Sequence, residues 1–98
     1  MSLFERIEFD EDKRRTVLET RGIDLLRAAM VLAGPVLVRE DGRNDYGEVR
    51  YVATGEAGGD HYTIVYTTRG TTIRIITAWR AGRSARRRYQ EHIDSGPV

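Results

Sequence analysis

The stretch Thr71–Tyr89, TTIRIITAWRAGRSARRRY, constrains this chain most. It reads as a β-prone strand that runs directly into an arginine-rich helix. Strict alternation puts Ile73, Ile75, Thr77 and Trp79 on one face, and Thr72, Arg74, Ile76, Ala78 and Arg80 on the other. Both faces carry apolar side chains, so the strand belongs inside a sheet and not at its edge. Gly82 breaks the pattern, and Ser84 is the expected N-cap of the helix. Along that helix Ala85, Tyr89, His92 and Ile93 form the stripe expected to pack. Arg83, Arg87 and Gln90 lie opposite, with Arg86 and Arg88 on the shoulders.

The elements before it follow from local rules. Phe4 to Phe9 alternates weakly and predicts a short strand. Asp10 caps a polar helix over residues 11–21 that Gly22 ends. Asp24 opens a second helix, in which Leu25, Ala28, Ala29 and Leu32 have i, i+3, i+4, i+7 spacing, and Gly34-Pro35 stops it. Val36–Glu40 and Glu48–Gly55 are expected strands, joined by the turn-rich loop DGRNDYG. The second of these places Glu48, Arg50, Val52 and Thr54 on one face. Gly58-Gly59-Asp60 is a hairpin turn leading into the β-prone HYTIVYTT at 61–68, and Arg69-Gly70 turns the chain into the central strand. The expected fold is α+β. Four main strands form an antiparallel meander over 36–80, a short N-terminal strand adds to it, and two N-terminal helices and one C-terminal helix pack on the sheet. Ile64, Val65, Ile73 and Ile75 are expected among the most buried residues.

Ninety-eight residues suit one domain over 1–98, with 95–98 as a loose tail. No apolar run approaches ~18 residues, and the acidic N-terminus does not read as a secretion signal. The absence of cysteine excludes disulfides and fits a cytoplasmic protein. The net charge of +1 conceals an asymmetry: residues 1–48 hold eight basic and eleven acidic side chains, and residues 49–98 hold eight and four. All basic residues but Lys13 are arginine, which suits bidentate contact with phosphate or carboxylate and equally suits a genome that favours arginine codons.

Several segments, in order, resemble one family. FDEDK at 9–13 is similar to the opening F/W-D-E-x-K of the BrnT toxins, and RGIDLLRAA at 21–29 to their H-G-V/I-x-F-x-x-A-A segment. DYGEVRYVATG at 45–55 resembles the E-x-R-Y-V-A-x-G strand, IRIITAWRA at 73–81 resembles I-R-I-I-S-A-R-x-A, and RRRY at 86–89 resembles the E-R-x-x-Y helix. Val17, Thr20 and Arg21 stand where the family usually has Asn, Lys and His; Trp79 replaces an arginine and Ala85 a glutamate. The resemblance implies a RelE-like fold and a cytoplasmic endoribonuclease toxin of a type II toxin–antitoxin system. It also implies RNA as substrate, inhibition of translation and growth, and neutralisation by a cognate DNA-binding, BrnA-like antitoxin in a hetero-oligomer. The alternative is a catalytically weakened module of the same fold that binds protein or RNA.

Cleavage without a metal needs a base for the 2′-hydroxyl, cations for the phosphorane charge and an acid for the leaving oxygen. Arg74 and Arg80, expected on one face of the central strand, and the Glu48–Arg50 pair are the catalytic candidates. An ordinary ion pair is the competing role for each. Arg83, Arg86 and Arg87 are the candidates for RNA binding, or for the acidic surface of an antitoxin. His61 is expected to be exposed and His92 packed. The two histidines suggest no metal site, and no cofactor is expected. Tyr62 and Tyr66 read as sheet packing, Tyr89 as core, and Tyr46 as a further proton donor or stacking group. Trp79 either stacks on a base or is buried between sheet and helix.

Overall fold

The computed structural model describes residues 6–42 and 47–96. Phe4, Glu5, Tyr46 and residues 97–98 lie outside them. The elements are β1 (Arg6–Phe9), α1 (Glu11–Arg21), α2 (Leu25–Ala29), β2 (Val36–Glu40), β3 (Tyr51–Ala57), β4 (Asp60–Arg69), β5 (Thr72–Arg80) and α3 (Arg83–Ser95). A 3-10 turn, Met30–Ala33, follows α2. Ser95 is therefore helical and not part of a tail. No helix among the described residues is long and apolar enough to cross a membrane.

The sheet order is β1-β5-β4-β3-β2. The β2–β5 meander is antiparallel as expected, and β5 lies inside the sheet. The sheet as a whole is mixed, because β1 pairs parallel to β5, setting Ile7 beside Ile73 and Phe9 beside Ile75. This corrects the purely antiparallel reading. β4 takes one edge of β5 and β1 the other, where Phe9 packs against the core while Ile7 stays exposed.

Start and stop signals act as read. The Asp10 carboxylate accepts from the Asp12 and Lys13 amides, and Gly22 ends α1 in the left-handed conformation at φ 69°. Asp24 caps α2 through Leu26 N (3.0 Å) and takes a bidentate pair of hydrogen bonds from Arg14 (2.8 and 2.9 Å), which ties α1 to α2. Gly58 and Gly59, at φ 59° and 88°, make the two-residue hairpin between β3 and β4. α1 and α2 cover one face of the sheet, and the core lies between them: Val17, Ile23, Leu25 and Val31 pack on Ala53, Ile64, Ile73 and Ile75. Ile64, Val65, Ile73 and Ile75 are all at most 3% exposed, as expected. α3 packs on the opposite face, against β2 and β3.

Three local expectations are corrected. β3 begins at Tyr51 and not at Glu48, because Gly47 turns the chain at φ 72° and the Val49 carbonyl is taken by the Thr67 hydroxyl (2.7 Å). The N-cap of α3 is Gly82; the Ser84 hydroxyl instead accepts from Arg88 (2.8 Å). His92 is exposed and not packed, since α3 buries Tyr89 with Ala85 and Ile93 half-buried at i±4.

Candidate functional site

A bulge in β5 decides where the arginines go. Val65 pairs with Thr77 but Tyr66 with Ile75, so Ile76 is an extra residue in β5. Up to Ile75 the odd positions face the α1–α2 core; beyond the bulge Ala78 does, at 0% exposed. Arg74 and Arg80 consequently lie on opposite faces, which corrects the expectation that they flank one phosphate. The same shift separates Thr77 and Trp79 from Ile73 and Ile75.

Arg80 sits on the core side, beside Tyr62, at the end of the β3–β4 hairpin. Its guanidinium lies 5.7 Å from the Tyr62 ring centroid and donates to Asp60 (3.3 Å). Arg27 reaches the same carboxylate at 3.6 Å. The Asp60 carboxyl is held below the usual range, first by the Arg80 hydrogen bond and then by Arg27. This two-arginine, one-carboxylate cluster ties α2 to the hairpin.

The α3 face carries the other candidates. Thr67 pairs with Arg74, and Arg74 with Glu8. Continuing the β3–β4 register by one residue sets Arg50 opposite Thr67. Extended so, a row Arg50–Thr67–Arg74–Glu8 crosses this face, with the segment just before β3 that bears Arg50 about 10 Å from β5. Each arginine is oriented by a carboxylate: Arg50 Nε donates to Glu48 (3.2 Å) and Arg74 Nη1 to Glu8 (3.3 Å). Arg69 adds a third guanidinium at 3.7 Å from Glu48. Thr67 is buried between them. The pairing of Glu48 with Arg50 matches the sequence reading, although a loop and not a strand delivers it.

The same face continues about 13 Å along β4, four residues on, to Thr63. Here Thr63 pairs with Trp79, and its hydroxyl bonds that of Thr54 (2.9 Å). Between this row and α3 lies a cavity of about 280 Å³, lined by Val52, Thr54, Thr63 and Trp79 from the sheet and edged by Arg39 and Arg88. Trp79 is half-buried against it. On α3 itself Arg83, Arg86 and Arg87 are exposed and make no ion pair with a described residue. No acidic residue occupies the first turn. Cations near a helix N-terminus oppose the macrodipole, so this placement does not serve the helix's own stability.

The remaining positions are structural. Val17 is 1% exposed in the core, and Thr20 bonds the Thr16 carbonyl of its own helix. Arg21 spans to β5 just past the bulge, donating to Thr77 Oγ1 (2.9 Å) and the Ala78 carbonyl (3.0 Å). Sequence reasoning missed that role because its partners lie fifty-six and fifty-seven residues further along the chain. His61 is half-buried, beside Tyr89 with ring centroids 5.6 Å apart and 3.6 Å from Glu56. No group of three or more His, Asp or Glu side chains comes together among the described residues.

A comparison with protein-family models matches residues 9–85 to the family described as ribonuclease toxin, BrnT, of type II toxin–antitoxin systems. None of the curated proteins matches the sequence. The match spans most of the chain, from the end of β1 through the bulged β5 to the start of α3, and so includes Glu48, Arg50, Thr67 and Arg74 of the arginine-bearing face. By the extent of that match, the chain belongs to the BrnT family of type II ribonuclease toxins.

Proposed function

We propose that this protein is a metal-independent endoribonuclease of RelE-like fold. Its cleavage of RNA inhibits translation and growth, and a cognate DNA-binding, BrnA-like antitoxin neutralises it. One arrangement carries the reading: Arg74 pairs with buried Thr67, and Arg50, held by Glu48 just before β3, falls on the other side of Thr67 when the β3–β4 register is continued by one residue. A phosphodiester lying over Thr67 meets a guanidinium from each side. Those groups, already oriented by Glu48 and Glu8, stabilise the charge that grows on the phosphorane oxygens. Glu48 is the candidate to take the 2′-hydroxyl proton as the 2′-oxygen attacks phosphorus, and the departing 5′-oxygen takes its proton from water. Arg80, on the other face, acts in this reading through Asp60 and the hairpin and not on the phosphate. Arg83, Arg86 and Arg87 hold the RNA backbone beyond the scissile bond.

The rival reading, binding without cleavage, draws on the carboxylates that already occupy Arg50 and Arg74, and on Trp79 in place of an arginine. Expression in a bacterial host and digestion of a mixed RNA pool with and without EDTA separate the two. Growth arrest with EDTA-resistant cleavage is expected, relieved by co-expressing the antitoxin. Intact RNA in a host that grows normally refutes the ribonuclease reading.

A further inference from the structure

The cavity between α3 and the sheet differs in kind from the arginine row. Its lining is largely apolar, from Trp79, Val52, Leu37, Val38 and Ala85, with the hydroxyl-bearing Thr54 and Thr63 among them. Its edge is two guanidinium groups that no carboxylate of a described residue neutralises: Arg88 donates to the Ser84 hydroxyl, and Arg39 to the Glu40 carbonyl. No acidic side chain of a described residue lines it. Thr54 and Thr63 together own two hydroxyl hydrogens, and their mutual bond uses one. The other has no partner among the described residues, so the buried floor keeps one donor and several lone pairs for a guest. At about 280 Å³ the space is just below the range of small-molecule sites, ~300–1,000 Å³, and suits a single flat ring system.

We propose that this cavity receives one unpaired base of single-stranded RNA, stacked on Trp79, with its edge read by the Thr54–Thr63 hydroxyl pair and its flanking phosphates held by Arg88 and Arg39. It rests on the reading of the protein as an RNA-cleaving toxin and supplies the selectivity of that site. An aromatic face stacks on any base, and the hydroxyl pair discriminates between base edges. The groove lies about 13 Å from Thr67 along β4, on the same face, so a base seated there fixes which bond reaches the Arg50–Arg74 row. Charge selects the occupant: a positive rim above an aromatic floor fits a nucleotide, while an apolar peptide gains nothing from Arg39 and Arg88.

Trp79 is the sole tryptophan, so its emission reports on this cavity directly. The protein is titrated at low salt with a 2′-O-methyl pentaribonucleotide, which cannot be cleaved, and with inorganic polyphosphate, which matches the charge without bases. Saturable quenching by the oligonucleotide and not by polyphosphate is expected. Equal quenching by both, or by neither, overturns the proposal. Affinity for a fluorescein-labelled oligonucleotide should fall roughly 5- to 150-fold in Trp79→Ala and return most of the way in Trp79→Phe. Thr63→Val should change the ranking of the four homopolymers with little effect on polyphosphate. If Trp79→Phe melts like the wild type and binds no better than Trp79→Ala, or if ranking is unmoved in Thr63→Val, the pocket does not read bases. Digestion of the same RNA pool by the same preparations keeps the two claims apart. Cleavage without a tryptophan response sinks the pocket alone. A base-dependent response without cleavage sinks the ribonuclease reading alone. Quenching by antitoxin and not by RNA gives the groove to the protein partner and overturns the proposal.

Discussion

Replacing Arg83, Arg86 and Arg87 together by glutamine should push binding and stability in opposite directions. All three are exposed and unpaired with any described residue, so no native contact is lost. If each neutralises one phosphate of single-stranded RNA, the slope of log K against log salt changes by about 0.7 per contact, or about 2 in total. Between 50 and 200 mM salt, a change of about 0.6 log units, the wild type should then lose about 20-fold more affinity than the variant. Stability should rise. Arg83 is the first residue of α3 and Arg86 lies within its first turn, where a cation opposes the macrodipole at ~0.3–1 kcal/mol each in low salt. A gain near ~1 kcal/mol corresponds to a rise of about 4–8 °C in a domain of this size. The assay is fluorescence anisotropy with a labelled oligoribonucleotide over a salt series, with thermal melts of both proteins in the same low-salt buffer. A slope unchanged by the triple substitution, or a melting temperature that falls, refutes the argument that these arginines are held against their helix for the sake of an anion.

Gly55→Ala should destabilise the fold by ~1–3 kcal/mol in urea melts, because a Cβ there would lie 2.9 Å from Val31 Cβ and 3.0 Å from Val36 Cγ1. Asp24 is held below its usual pKa, first by the Arg14 hydrogen bond. Its stabilisation is thus present above the unfolded value of ~3.9 and lost as pH falls through the folded one. Asp24→Asn should therefore show a shallower loss of stability below about pH 4 than the wild type, read from denaturant midpoints across pH. Glu48→Gln separates two roles: if Glu48 is the base, cleavage falls while the melt is preserved, and if it only holds Arg50 and Arg69, the melting temperature falls first.

Most of the frame was legible because its signals are local. Asp10, Gly22, Asp24, Gly34-Pro35 and Gly58-Gly59 each act within four residues of their own position. What the sequence concealed was nonlocal or disguised. The bulge at Ile76 is invisible to alternation, because β5 is apolar on both faces and a one-residue slip exchanges one plausible face for another. That slip alone parts Arg74 from Arg80. The parallel pairing of β1 depends on a partner more than sixty residues away, and the late start of β3 on a side-chain hydroxyl from β4. Of the candidate residues, Glu48 and Arg50 meet as their i, i+2 spacing suggested, and Arg83, Arg86 and Arg87 share an exposed helix. Trp79 was visible as an aromatic with two possible fates. Only the fold shows that it floors a cavity with the threonine pair.

The central claim is that RNA is cleaved on the α3 face by guanidinium groups flanking Thr67. Single-turnover cleavage of one RNA in EDTA, compared among the wild type, Arg74→Ala and Arg80→Ala, tests it most directly. The wild type should cleave in EDTA, and Arg74→Ala should lose ~10²–10³ in rate as one preorganised stabiliser is removed. Arg80→Ala, whose partner Asp60 lies on the opposite face, should stay within about tenfold of the wild type at a temperature below its melt. Loss of cleavage in EDTA, or full activity in Arg74→Ala alongside an inactive but folded Arg80→Ala, would contradict the account and move the chemistry to the other side of the sheet.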